Sequence, residues 1–225
     1  MLFAKLSTIL VLSVGLPATA GVLASSDWEN AADGVDGWSF TADGTNLVRV
    51  ATGGNPGGFL QISDLGSGGV IFWEAPAKFL ADKSAAYGGT LSYDLQQSTS
   101  ERPSSSDIPE VFLTGNGITL SFDLPNSDNP AVTPDWSSYS FTLLASAGWV
   151  DDGTSIAATE AQMQSVLSNL SSLEIRAEYS AALDIDGIDN VSITSSPEPG
   201  TVGLILCAGL LISVGRKARR SSRFF

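Results

Sequence analysis

Ile118-Thr119-Leu120-Ser121-Phe122-Asp123-Leu124 alternates apolar and polar side chains without a break. A period of two places Ile118, Leu120, Phe122 and Leu124 on one face of an extended strand, a pattern no helix can segregate. Tyr139-Ser140-Phe141-Thr142-Leu143 repeats it, 173–179 resumes it, and runs at 47–50, 59–62, 70–73, 90–95, 109–113 and 188–193 also read as strands. Gly, Pro, Asp, Asn and Ser separate them. Strands of this kind bury one face and wet the other. Many of them at this spacing predict a mainly β chain, an antiparallel β-sandwich or jelly roll.

One helix is expected among the strands. Thr159 and Gln162 fit a capping box, and Met163, Val166, Leu167 and Leu170 follow at helical spacing on one face. That stripe reads as core. Gly115-Asn116-Gly117 reads as a hairpin turn between two strands. The Ser-rich stretch 97–107 and the Pro-rich stretch 125–135 read as solvated connectors, with ligand contact as the second reading. The acidic stretch from Asp184 to Asp189 lacks the length and terminal Glu of an EF-hand, and reads as a bend into the last strand.

Composition excludes several chemistries. The chain has no His, so Ser-His-Asp and Cys-His machinery and His-based metal sites are absent. Its single Cys, Cys207, lies in an apolar stretch near the end, so the preceding domain holds no disulfide. Of 24 Asp and Glu, all but Glu198 lie between Gly21 and Ser196, against Arg49, Lys78, Lys83, Arg102 and Arg176 as the bases there. Such an acidic domain is not a nucleic-acid binder, because phosphate contact needs clustered bases. It does supply carboxylates for a hard cation such as calcium, or simply a solvated surface.

The two ends read as targeting segments. Residues 1–20 have Lys5, an apolar stretch and Ala18-Thr19-Ala20, the pattern of a secretory signal peptide cut between Ala20 and Gly21. Residues 196–225 place Pro197-Glu198-Pro199 before an uncharged apolar stretch at 201–215, followed by Arg216, Lys217, Arg219 and Arg220 in a basic tail, 216–225. The apolar stretch is expected as a single transmembrane helix, somewhat short for the ~30 Å hydrocarbon core. The bases stay on the cytoplasmic side. This order resembles the PEP-CTERM sorting signal of Gram-negative bacteria. The resemblance implies recognition by an exosortase-type membrane protease and cleavage near the tripeptide.

Between these ends, residues 21–195 are expected as one domain. From Gly53 onward it is similar to the laminin IV (laminin B) family. The matching segments are Gly57-Gly58-Phe59-Leu60, the run from Phe72 through Ala75-Pro76-Ala77-Lys78-Phe79 to Leu80, Tyr87-Gly88-Gly89, the run from Val111 to Gly117, the block from Met163 to Ser180, and Asp189-Asn190-Val191-Ser192. The resemblance implies a β-sandwich similar to galactose-binding-like jelly rolls. Laminins carry this domain within cysteine-rich modules, and such modules are missing here, so roles that depend on them do not transfer. No catalytic residue transfers.

Two sets of candidate site residues emerge. The acidic stretch Asp27-Trp28-Glu29 resembles the start of many carbohydrate-binding jelly rolls, where an early carboxylate and one from the last strand hold a structural Ca2+; Glu29 and Asp189 take those positions. Five Trp are available to stack on sugar rings, and at least three are expected inside. Trp136, beside the Pro-rich stretch, and Trp149, before Asp151-Asp152-Gly153, are the surface candidates.

The leading expectation is a non-enzymatic protein of the cell surface or extracellular matrix, anchored by its terminal helix until processed. It binds polysaccharide or another surface protein. An enzyme that acts on polysaccharide through paired carboxylates, and a ligandless spacer, are the alternatives.

Overall fold

Residues 19–65, 68–100, 108–125 and 129–197 are described by the computed structural model of the chain. They comprise the unit Ala20–Ser196; the second unit, Met1–Thr19 with Pro197–Phe225, falls almost wholly outside them. The expected signal peptide up to residue 18 lies outside the described residues, as do Glu198, Pro199, the apolar stretch 201–215, Arg216, Lys217, Arg219 and Arg220. Among the described residues, no helix is long and apolar enough to cross a membrane.

The alternating runs form strands. In chain order they are β1 (Val22–Ser26), β2 (Ser39–Phe40), β3 (Gly44–Gly54), β4 (Gly57–Asp64), β5 (Phe72–Glu74), β6 (Thr90–Gln97) and β7 (Val111–Gly115). There follow β8 (Ile118–Phe122), β9 (Ala131–Val132), β10 (Ser137–Thr142), β11 (Val150–Asp151), β12 (Ile156–Ala157), helix α1 (Glu160–Ser168), β13 (Leu170–Arg176) and β14 (Ile185–Thr194). Among the described residues they make two seven-stranded sheets. The first runs β10-β6-β14-β4-β3, with β1 also on β14 and β9 on β6; the second runs β12-β11-β8-β7-β13-β5-β2. Pairing is antiparallel except between β6 and β9.

This is the expected antiparallel sandwich with one helix. The period of two sets its core. Leu60 and Ile62 of β4, Leu91, Tyr93 and Leu95 of β6 and Ile188 of β14 are buried with Val111, Leu113, Leu120, Leu173 and Ile175 of the second sheet. Asn116 and Gly117 both have positive φ, 50° and 75°, which closes the β7–β8 hairpin with the twist that antiparallel strands need.

Three local expectations change. The helical stripe was expected to include Leu170, but α1 stops at Ser168. Asn169 leaves helical geometry at φ −156° and bonds Asn116 Oδ1 through its side-chain amide at 3.1 Å, so Leu170 reaches the core from β13. The bend expected from Asp184 to Asp189 is already strand from Ile185, because β4 and β6 flank it on both sides. The Pro-rich connector contains β9, which pairs with Gln96 and Gln97.

Candidate functional site

The site is built where β14 changes neighbours. Residues 185–188 pair with β4, and residues 191–194 pair with β1. Between them the register against β6 shifts from Asp189 to Ser192, and Asn190 takes φ 51°. This is a β-bulge, which re-aims side chains and interrupts pairing. The turn between β3 and β4 fills the interruption.

Asp189 and its cross-strand partner Asp94 face away from the core, since their neighbours Ile188, Tyr93 and Leu95 face into it. Asp189 Oδ2 accepts the Asn55 amide hydrogen at 2.7 Å and Oδ1 accepts that of Asn190 at 2.8 Å. Asp94 Oδ2 accepts from the side-chain amides of Asn190 at 2.8 Å and Asn55 at 3.2 Å. Asn190 also donates to the Asn55 carbonyl, which closes the network. Asp189 is fully buried within it. Burial pushes its carboxyl up to about 7; the two amides oppose that, while Asp94 and Glu29 add repulsion.

Glu29 reaches the same turn from the segment that follows β1. Arg49 holds the backbone there, its Nε donating to the Trp28 carbonyl at 2.7 Å and its Nη2 to that of Glu29 at 3.1 Å. The turn must be thin. A Cβ at Gly57, where φ is 79°, would stand 2.1 Å from Glu29 Oε2, and one at Gly54 would stand 2.7 Å from Asp189 Oδ2. Glu29 and Asp189 therefore flank one turn, with Glu29 exposed and Asp189 buried. Among the described residues, no three Asp, Glu, His or Cys side chains converge as ligands for a metal.

The two candidate tryptophans separate. Trp149 is 0% exposed, packs edge-on against Phe122 at 5.3 Å and donates its Nε1 hydrogen to the Thr142 carbonyl at 2.9 Å. It is a core residue and offers no face to a ligand, contrary to expectation. Its polar neighbours Asp151 and Asp152 misled because β11 is only two residues long, so the chain surfaces directly after it. Trp28, Trp38 and Trp73 are buried too. Trp136 is half-buried on the outer face of the first sheet, edge-on to Phe59 at 5.3 Å, with its Nε1 hydrogen on the Gly53 carbonyl at 3.0 Å. Beside it is a depression of about 160 Å³ lined by Phe59, Gln61, Gln96, Ser98, Thr133 and Ile185.

Ala20 and Gly21, the expected processing point, are exposed, and Gly21 is paired to Ser195. Asn55 and Asp94 carry no sequence signal of their own, and Asn190 is marked only by its place in the segment Asp189-Asn190-Val191-Ser192. Asp94 is merely the polar member of an alternating strand, and the bulge that gathers them is a tertiary feature.

A profile of the family described as Laminin B (Domain IV) matches residues 72–204. The chain belongs to this family. It is 27% identical over 141 residues to laminin subunit alpha-1 of Mus musculus, 61% of this chain and 4% of that protein. It is 30% identical over 130 residues to the basement membrane-specific heparan sulfate proteoglycan core protein of Mus musculus, 58% of this chain and 3% of that protein. The chain thus spans a small fraction of either relative. The solved L4b domain of human laminin alpha-2 matches with a TM-score of 0.50 at 19% identity, over 56% of this chain and 70% of that domain, a likeness of fold. Asp94, Trp136 and Asp189 lie inside the laminin B segment, whereas Glu29 and Asn55 precede it.

Proposed function

We propose that this laminin B chain is an exported, non-enzymatic binding protein that presents the outer face of its first sheet to an extracellular polysaccharide or a surface protein. The half-exposed Trp136 carries this reading. Its ring stands edge-on to Phe59 beside a depression lined in part by Gln61 and Gln96. Aromatic faces flanked by amides suit sugar rings, which offer C–H faces and hydroxyl edges. A depression this small suits a chain lying across the surface better than an enclosed molecule. Relatives named as laminin and basement-membrane proteins support an extracellular setting.

In this reading the signal peptide exports the chain from a Gram-negative cell. The tail with Pro197-Glu198-Pro199 and the bases after residue 215 holds it in the membrane until an exosortase-type protease acts, which delivers it to the surface or matrix. Glu29 and Asp189 hold a structural Ca2+ beside the β3–β4 turn; oxygen donors of this kind suit a hard cation. The non-enzymatic reading is supported by the burial of the neighbouring carboxyl pairs Asp94/Asp189 and Asp184/Asp186.

The test is calorimetric titration of the purified full-length chain, in mild detergent, with the extracellular polysaccharide of its source organism, in calcium and again in chelator. Saturable binding that is lost in Trp136→Ala supports the reading. Binding abolished by chelator and by Glu29→Gln ties calcium to it. No binding in either buffer removes the polysaccharide and leaves a protein partner or a spacer.

A further inference from the structure

The inner face of the first sheet does not stay apolar to its end. Asp64 follows Ile62 inward on β4, Gln97 follows Leu95 on β6, and Asp186 precedes Ile188 on β14. Asp186 is the cross-strand partner of Ile62 on one side and of Gln97 on the other. Asp184 stands just before β14, its carbonyl accepting the Asp64 amide hydrogen at 3.0 Å. Asp184, Asp186 and Gln97 are 4%, 1% and 2% exposed.

The unmet atoms of Asp184, Asp186 and Gln97 are all acceptors; the buried Tyr179 hydroxyl, close enough to Asp186 to feel its charge, is unmet as well. The oxygens of Asp184 and Asp186 receive no hydrogen from any other residue, and the two carboxyls stand close enough to share one between them. Gln97 spends its side-chain donor on the Pro130 carbonyl at 2.7 Å, which leaves its buried Oε1 without a partner. Glu178 and Asp64, both buried, add negative charge around the pair. The Arg176 guanidinium serves the carbonyls of Glu178 at 2.8 Å and Ile108 at 3.0 Å and lies 4.4 Å from the Tyr179 ring. Burial and mutual repulsion raise both aspartates, Asp184 to about 7 and Asp186 further.

Buried carboxylates without donors are strongly unfavourable. A proton shared between Asp184 and Asp186 would relieve part of this, yet it leaves the Gln97 oxygen and the outer carboxylate oxygens unmet. A cation meets all of them. The donors are oxygens only, from two carboxylates and an amide on separate segments. That set selects a hard divalent cation that tolerates irregular geometry, with backbone oxygens or water completing the shell.

We propose that Asp184, Asp186 and Gln97 form a buried calcium-binding site between the sheets, distinct from the Glu29/Asp189 turn. The site joins the start of β14 to the end of β6. Calcium bound there stabilises the folded sandwich by mass action.

The test uses the full-length chain, stripped with chelator and titrated with calcium chloride alone, followed by calorimetry and thermal melting. Glu29→Gln should still bind calcium and still gain melting temperature from it. Asp184→Asn with Asp186→Asn, made in the Glu29→Gln chain, should abolish both responses. Gln97→Leu keeps both carboxylates and, in the same Glu29→Gln chain, should weaken calcium binding by about tenfold or more, as loss of one supporting oxygen does. Should the double variant not fold, Gln97→Leu and Glu29→Gln decide. A wild-type chain that gives no heat and no melting shift in millimolar calcium overturns the proposal and leaves a shared proton. Calcium binding lost in Glu29→Gln, or unchanged when Gln97→Leu is added to that chain, overturns it equally.

Discussion

Asp189 and Asn55 stand 134 residues apart in the chain and meet through a 2.7 Å hydrogen bond from the Asn55 amide to Asp189 Oδ2. With the Asn190 amide on Oδ1, one buried carboxylate fixes both the β3–β4 turn and the bulge of the final strand. The outer-face network depends on this pairing, because Asn55 and Asn190 present their side chains to Asp94 only while their backbones are held.

Asp189→Ala removes the acceptor from two amides at once. Leaving buried donors unsatisfied costs about 1–3 kcal/mol. Urea unfolding in chelator should show that loss free of any metal contribution. Asp189→Asn, which retains an acceptor oxygen, should lose less. Equal losses in the two variants would mean that the amides find other partners.

Trp136→Ala and Trp149→Ala should part company. Truncating the fully buried Trp149 leaves a cavity beside Phe122 and strips the Thr142 carbonyl of its donor, so unfolding should lose about 3–5 kcal/mol. Trp136 stands at the surface, and its loss should leave stability largely intact while removing polysaccharide binding. A stable Trp149→Ala, or a Trp136→Ala that binds as wild type, would reverse these assignments.

Gly115→Ala tests how α1 is seated. A Cβ there would stand 2.4 Å from the Val166 carbonyl oxygen and 2.7 Å from that of Asn169, both backbone atoms at the end of α1. Neither can turn aside as a side-chain tip would. Overpacking of this kind costs about 1–3 kcal/mol. Hydrogen exchange should show α1 amides opening more readily than those of β6. Unchanged exchange would place slack in α1 that the static contacts do not reveal.

The sandwich was legible because its signal is local. The runs 118–124 and 139–143 declare their faces by period alone, and Asn116-Gly117 declares its hairpin. Glu29 and Asp189 were nominated by position and do flank one turn. What stayed hidden is what only pairing creates. Asp186 becomes an inward residue because β4 and β6 both register on it, and Trp149 is buried because β8 and β10 supply Phe122 and the Thr142 carbonyl. Asp184 to Asp189, read alone, has the composition of a surface bend. Its acidity records the environment it folds into, which no neighbouring residue in the sequence announces.

Glu110 gives the chain a pH dependence that one substitution isolates. It is 5% exposed, its Oε2 accepts the Leu124 amide hydrogen, and its Oε1 lies 3.7 Å from Arg176 Nη1. Burial pushes its carboxyl up to about 7; the Leu124 amide and Arg176 hold it back, while Asp123 adds to the rise. An unfolded Glu titrates near ~4.3, so between that pH and about 7 the folded chain holds a proton that the unfolded chain has released. Its contribution to stability is therefore full below ~4.3, falls as pH rises toward the folded value and is gone above it. Glu110→Gln keeps an oxygen for Leu124 but cannot titrate. Urea unfolding of wild type and variant in chelator, from about pH 4.5 to 8, should show wild type losing ground to the variant as pH rises. The remaining buried carboxyls titrate in both proteins and cancel in the difference. Parallel curves would mean that Arg176 and the Leu124 amide offset the burial of Glu110 in full.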